Sequence, residues 1–586
     1  MMVAMVSVVS CTEEIADPQH QTGPSLQEEA VTVHAVMDED MTKVTLGDDS
    51  GASTQVHWDA EDQIGIRIDE TTYTFDRTDD AVGSKTADFE YKTGGVALPT
   101  LTAGEYTFTY PATGKAALAS QTGTKDGLKA YHYMEATFTA EEEQDWNNLP
   151  GLSFETKVAI VKLTLKNEAF KGKEVTGVTL RSAEDAYAAT SVFTGSDADG
   201  SIVTYFAVEP GSLTGCVIGA TCEDDYYEAS LSNNTLSAGR LYRVGKTMAK
   251  AHIDLSPVVA GVNRTANSYI VSKAGDYKFK ATHKGNSTSS AVGTIKSAVV
   301  LWESFGTATA PSVGDLVKNV AYSDGYITFT ATAKEGNAVI AAKDASDKIL
   351  WSWHIWLTDK PAEHVYANSA GTVMDRNLGA TSATPGDVGA LGLLYQWGRK
   401  DPFLGSSAIS GYEVAKSTIT WPSPVPSDAS NGTIEYAVSH PTAFITYNTY
   451  NNDWYYTGDN TTDNTRWTES ENAKSVYDPC PAGWRVPDGG TDGIWGTADF
   501  DDPPFDETNK GKTFSNNGIE IWYPAAGYLA YDNVLSNAGK SLYCWTATPW
   551  PDSAKAINLY FKSGSQNLET NYGMRVGGFS VRCCKE

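Results

Sequence analysis

Apolar and polar residues alternate with period two from Val31 onward, in short runs broken by Gly, Asp and Asn turns. VTVHAVM, VHWDAEDQIGIRI, YTFTYPA, KVAIVKLTLKN, VTGVTLRSA, IVTYFAVEPG and LYRVGKTMA each read as a strand. In QIGIRI, Ile64, Ile66 and Ile68 share one face while Gly65 and Arg67 take the other. Strands of this kind bury one side only, and two such sheets face to face make a sandwich. Residues 251–361 continue the pattern with NSYIVSKAGDYKF, SAVVLWES, GYITFTATA, GNAVIAAKD and KILWSWHIWLTD. Within the last, Ile349, Trp351, Trp353 and Ile355 fall on one face and Leu350, Ser352, His354 and Trp356 on the other. A strand apolar on nearly both faces is central in a packed sandwich. Such Trp density reads as core rather than as a sugar-stacking strip, and His354 as a hydrogen-bonded core histidine. Long helical periodicity is nearly absent, so the chain is expected to be mainly β.

The last third is organised around VYDPCPAGWRVP (Val476 to Pro487), with VMDRNLGA, LLYQWGRKDPF, YCWTAT and GGFSVRCC as ordered companions. Pro479 and Pro481 fix the backbone on either side of Cys480, and Gly483 lets the chain swing into Trp484. Near the C-terminus, Phe579 and Val581 alternate against Ser580 and Arg582, a strand pattern ending at Cys583 and Cys584. A Cys480 to Cys583 bridge would close a loop of about a hundred residues, worth roughly 4–5 kcal/mol in the loop-entropy model. Cys544 and Cys584 compete for the same partner. The five motifs resemble the Fibrobacter major paralogous domain, whose fold is similar to a C-type lectin. The resemblance covers residues 362–586 and implies a compact α+β domain with a variable loop face.

Two further resemblances concern the N-terminal half. MMVAMVSVVS followed by Cys11 resembles the end of a bacterial lipoprotein signal, which implies a signal over residues 1–10 and a lipid on Cys11 that holds the protein to the outer membrane. No Lys or Arg precedes Lys43, so the signal is expected to continue upstream. Residues 11–30 read as a flexible tether. Trp58, Tyr106, Pro111, Leu163, Pro210, Gly239 and Tyr242, with WDAEDQIGI, GEYTFTYPA, AVEPG and LSAGRLYRV, are similar in order to the fimbrillin family of Bacteroidales surface lipoproteins. That likeness divides the region into subdomains at 31–150 and 151–250, followed by a β-rich spacer at 251–361. It implies tandem β-sandwiches in which a first strand is removed by a protease and a neighbouring subunit's strand fills the groove. Val31, Val33 and Ala35 are the candidate residues of the strand that leaves. Lys43 and Arg67 are the candidate processing positions. A strand-receiving place at a fibre's end is expected, because GGFSVRCCKE belongs to the lectin-like domain's own pattern.

Composition narrows the partners. Forty-four Lys and Arg stand against 73 Asp and Glu, a net charge of −29, which disfavours nucleic acid and anionic lipid surfaces. No GxSxG elbow, HExxH helix, P-loop or CxxC pair occurs. The turn SDADGS lacks the later carboxylates of a calcium loop and reads as a hairpin turn. Asp499 to Glu507 reads as a solvated acidic loop, and Cys216 and Cys222 as either a bridge or a buried free pair. The GWRVP segment is also similar to sulfatase-modifying enzymes, but no reactive cysteine pair accompanies it, so no enzyme, cofactor or metal is expected. Tyr447 to Trp467 mixes aromatics with Asn and Asp, which suits sugar faces and hydroxyls. Trp454, Tyr455, Tyr456 and Trp467 are its candidate ligand contacts. The reading that follows is a fimbrial tip or minor subunit at the cell surface, joined to other fimbrial subunits, with a head for a glycan or protein ligand. Its rival is a solitary outer-membrane lipoprotein that captures glycan for uptake.

Overall fold

The computed structural model describes residues 31–37, 58–78, 84–91, 96–182, 184–223, 225–256, 258–259, 262–263, 265–447, 452–459, 461–470, 473–498, 503–516, 518–551, 553–564 and 569–586. The architecture is mainly β, and the α-helices among the described residues are two short ones, α1 (Ile434–Ser439) and α2 (Ile494–Ala498). No helix there is long and apolar enough to cross a membrane. The chain divides into two compact units.

In the first unit, seven strands form one sheet that closes on itself. They are β1 (Thr32–Met37), β2 (Gln63–Ile68), β3 (Thr71–Arg77), β4 (Thr86–Tyr91), β5 (Gly104–Tyr110), β6 (Met134–Ala140) and β7 (Leu152–Thr156), in the order β1-β4-β3-β2-β5-β6-β7. The subdomain boundary expected at residue 150 falls one strand early, because β7 completes this sheet through its pairing with β1. Alternation sends Ile64, Ile66, Tyr73, Phe75, Phe89 and Phe108 inward. Trp58 is fully buried at the centre, edge-on to Phe89, Tyr110 and Phe154 at 5.1–5.5 Å. Gly65 is glycine for a steric reason: a Cβ there would lie 2.8 Å from the Ala112 carbonyl oxygen.

The second unit holds three layers of structure in sequence. Its first part sets a three-stranded sheet, with β8 (Ala159–Lys166) between Ser201–Val208 and Leu241–Thr247, beside a larger sheet built on Glu174–Arg181, Val217–Cys222 and Asp225–Ser230. SDADGS is a turn leading into Ser201–Val208, with Gly200 in the left-handed region and the Ser201 amide donating to Asp199 Oδ1 at 3.1 Å. Cys216 and Cys222 are buried and free, and burial pushes the Cys216 thiol up to about 11. The spacer holds two four-stranded sheets and a small two-stranded one, one of the larger pair being ordered Ser268–Val271, Ile349–Leu357, Gly336–Lys343, Ser297–Ser304.

Ile349–Leu357, here β9, is central in that sheet and joins two cores. Trp351, Trp353 and Ile355 pack in the spacer core, whereas Trp356 belongs with Met374, Leu378 and Trp397 in the core of the C-terminal domain. On the latter face lies a buried relay. Asn337 donates its amide to the Gly379 carbonyl at 2.9 Å, which leaves its Oδ1 to accept from His354 Nε2 at 2.9 Å; His354 Nδ1 then accepts from the Ser268 hydroxyl at 3.0 Å. Burial pushes the His354 imidazole down to about 3. That value lies below the unfolded value near 6.5, so the stabilisation is complete above that pH and is lost as pH falls. Between pH 7 and 4.5 the chain should lose about 2–3 kcal/mol through this residue. Denaturant titrations at both pH values check it, with H354Q bridging the same partners without titrating. An equal pH dependence in wild type and H354Q would rule the account out.

Candidate functional site

Two places carry the expected functional residues: the β1 strand of the first unit and the loop face of the C-terminal domain. β1 runs antiparallel to β4, with Val33 opposite Phe89 and Ala35 opposite Ala87, and parallel to β7, with Ala35 opposite Leu152 and Met37 opposite Phe154. Val33, Ala35 and Met37 are each 1% exposed, and Val31 packs against the same core from its edge. Met37 is the strand's largest inward side chain; the VTVHAVM alternation contains it, although the sequence candidates stop at Ala35. Burying Val33 and Met37 contributes about 1.5–3 kcal/mol each. Without β1 the sheet would open between β4 and β7, leaving two rows of unpaired backbone groups above an apolar trough.

Arg67 lies next to the end of β2, exposed, with its backbone opposite Thr72 of β3, so cleavage there would need the β2–β3 hairpin to open locally. Cys11, Lys43, the signal and the tether lie outside the described residues.

In the C-terminal domain, the VYDPCPAGWRVP turn is held from beneath by one carboxylate. Asp478 accepts the Cys480 amide at 2.8 Å and the Val486 amide at 2.9 Å, while the Lys474 ammonium caps the carbonyls of Cys480, Pro481 and Trp484 at 2.6–2.9 Å. Burial raises the Asp478 carboxyl to about 6, against the pull of Lys474 and the two amides. Gly483 sits at φ +78°, in the left-handed region that favours glycine, and turns the chain so that Trp484–Arg485 pairs with Cys584–Lys585. Cys480 and Cys583 form a disulfide, and Cys544 and Cys584 are free and buried, burial pushing both thiols up to about 12.

Trp454 and Trp467, expected as ligand contacts, are fully buried. Their indoles donate to the Trp397 and Arg399 carbonyls at 2.8 and 3.2 Å, and Arg466 fixes the loop between them by pairing with Asp453. The Arg466 guanidinium lies 4.9 Å from the Trp397 and Trp454 ring centres. Charge and aromatics that read as a sugar-facing loop are spent on fastening it to the core. Tyr455 and Tyr456 stay partly exposed. More open aromatics are Tyr447, at the start of that stretch, and Tyr412, Tyr531, Trp550 and Tyr572 elsewhere on the domain, at 39–65% exposure. They come from separate segments, so no one stretch of sequence shows them together. Among the described residues no three His, Cys, Asp or Glu side chains gather to hold a metal.

No protein-family model and no curated protein matches the chain. Among solved structures it is similar to a candidate cell adhesion protein from Bacteroides ovatus at 14% identity, over 38% of this chain and 96% of that one, with a TM-score of 0.26. It is also similar to the tip fimbrial protein Mfa3 from Porphyromonas gingivalis, at 7% identity over 38% of this chain and 98% of the other, TM-score 0.19. A fimbrial protein from Bacteroides ovatus aligns over 94% of this chain and 99% of its own at 12% identity, again with a TM-score of 0.19. Scores this low assign neither fold nor function to this chain.

Proposed function

We propose that this protein is a non-enzymatic, cell-surface fimbrial tip or minor subunit that joins a fibre by strand exchange and presents its lectin-like C-terminal domain as an adhesive head. The observation that supports the reading is the place of β1. It is a single short strand with small and flexible inward side chains, contributed from the N-terminal end of a sheet that is otherwise continuous from β4 round to β7. An incoming strand with apolar residues at alternate positions could pair with both exposed edges and refill the trough. Other fimbrial subunits are the partners this assigns, and an N-terminal lipid on Cys11 the route to the outer membrane.

One observation favours the rival, a solitary lipid-anchored glycan receptor in which the fimbrillin-like part is a rigid support. Arg67 is paired with Thr72 in the β2–β3 hairpin, which leaves β1 in place unless that hairpin opens or the chain is cut elsewhere. Shearing surface fibres from cells that express the protein, and reading its N-terminal residue by mass spectrometry, separates the two. Co-purification with fibres and an N-terminus beyond Met37 is the expected result. A chain absent from fibres, with β1 intact and a lipid on Cys11, would replace the fimbrial reading with the receptor.

A further inference from the structure

The chain carries a net charge of −29, yet one cavity of about 570 Å³ on the C-terminal domain is lined by three lysines and one carboxylate. Lys510, Lys540 and Lys562 reach it from three separate segments, so their meeting is a product of the fold. Glu507 answers Lys510, at 3.0 Å, and is also held by the Ser563 hydroxyl. Lys540 contacts the Tyr412 hydroxyl at 3.4 Å, and neither Lys540 nor Lys562 has a carboxylate partner among the described residues. Two ammonium groups gathered with one carboxylate that is already paired leave a local excess of positive charge, a standing electrostatic cost.

One other feature says what would relieve it. Tyr412 lines the cavity and is 65% exposed, a flat apolar face beside a cation. A cation pair beside an open aromatic face describes a ring compound with a negative substituent. The volume falls within the roughly 300–1,000 Å³ usual for small-ligand sites.

We propose that this cavity binds one acidic sugar residue of a glycan, its carboxylate or sulfate held by Lys540 and Lys562 and its ring face by Tyr412. The inference deepens the adhesin reading and rests on the C-terminal domain being the ligand-binding head. It does not depend on fibre assembly.

Calorimetric titration of the full chain tests it with methyl glucuronide, N-acetylneuraminic acid and a sulfated galactoside, against methyl glucoside and inorganic sulfate. At least one acidic sugar should bind, more weakly as salt rises, with the glucoside and sulfate at least tenfold weaker. Which acidic sugar binds distinguishes a carboxylate from a sulfate site. The pair K540Q/K562Q should weaken binding roughly tenfold or more, as loss of charge-assisted hydrogen bonds requires. Tyr412→Ala should weaken it without moving the melting temperature, since the ring is exposed. Equal binding of the neutral glucoside, equal binding of sulfate, no binding by any acidic sugar, or an unaffected K540Q/K562Q would each overturn the proposal. A chain that still enters fibres while failing this titration would refute the cavity and leave the fimbrial reading standing.

Discussion

Replacing both Cys480 and Cys583 by alanine should lower the stability of the C-terminal domain by about 4–5 kcal/mol, because the bridge closes a long loop within it. The sequence separation is 103 residues. Within that loop lie α2, the Ser541–Pro549 and Lys555–Lys562 strands and the three lysines of the proposed sugar cavity, so an uncrosslinked unfolded chain gains much conformational freedom. The folded state loses less. Asp478 and Lys474 still brace the turn around position 480, because the backbone N–H that Asp478 accepts and the carbonyl that Lys474 donates to both survive the substitution. Cys544 and Cys584 are not expected to form a substitute bridge, since burial keeps both thiols protonated at neutral pH. Guanidinium unfolding of the double variant, followed by tryptophan fluorescence, measures the effect; the first unit, which holds no part of this bridge, should keep its own transition. An unchanged midpoint for the C-terminal domain would refute the prediction. So would peptide mapping that joined Cys480 to Cys584.

What could be read from the sequence, and what could not, follows from the range of the interactions. Period-two runs rich in Val, Ile and Leu announce their strands, and KVAIVKLTLKN and ILWSWHIWL fold as their alternation requires. TTYTFDR and LSFET are strands as well, but each buries three residues, only two of them apolar, among exposed Thr, Ser and Glu, too few for the pattern to rise above a polar loop. Closure of the first sheet rests on β1 meeting β7, more than a hundred residues away, and pairing at that distance leaves no local trace. Motif-bound features fared better, because Pro479, Pro481 and Gly483 act on the backbone next to them. The lysines at 510, 540 and 562 show the opposite case. Each looks like an ordinary surface charge until the fold places them in one cavity.

The loop from Tyr447 to Trp467 shows how composition misleads when a charge pair is overlooked, and it yields the sharpest test of the buried reading. Asp453 and Arg466 flank the polar tip of that loop and pair with each other at 1–2% side-chain exposure, and Arg575 adds a second cation 3.5 Å from the same carboxylate. Removing Trp454 opens a large void between two guanidinium faces, so Trp454→Ala should cost about 3–5 kcal/mol. Arg466→Met should cost about 2–3 kcal/mol, at or below the lower end for a buried ion pair broken from one side, because Arg575 stays beside the Asp453 carboxylate. Tyr455→Ala and Tyr456→Ala, at partly exposed positions, should each cost about 1 kcal/mol or less. Melting curves of the four variants decide the matter, with the acidic-sugar titration run alongside. If Trp454→Ala kept the wild-type melting temperature and abolished binding, this loop rather than the lysine cavity would be the contact surface. Loss of stability with binding retained in the surviving folded fraction would confirm the aromatic and charged residues of this loop as a fastening that holds the head's surface in shape.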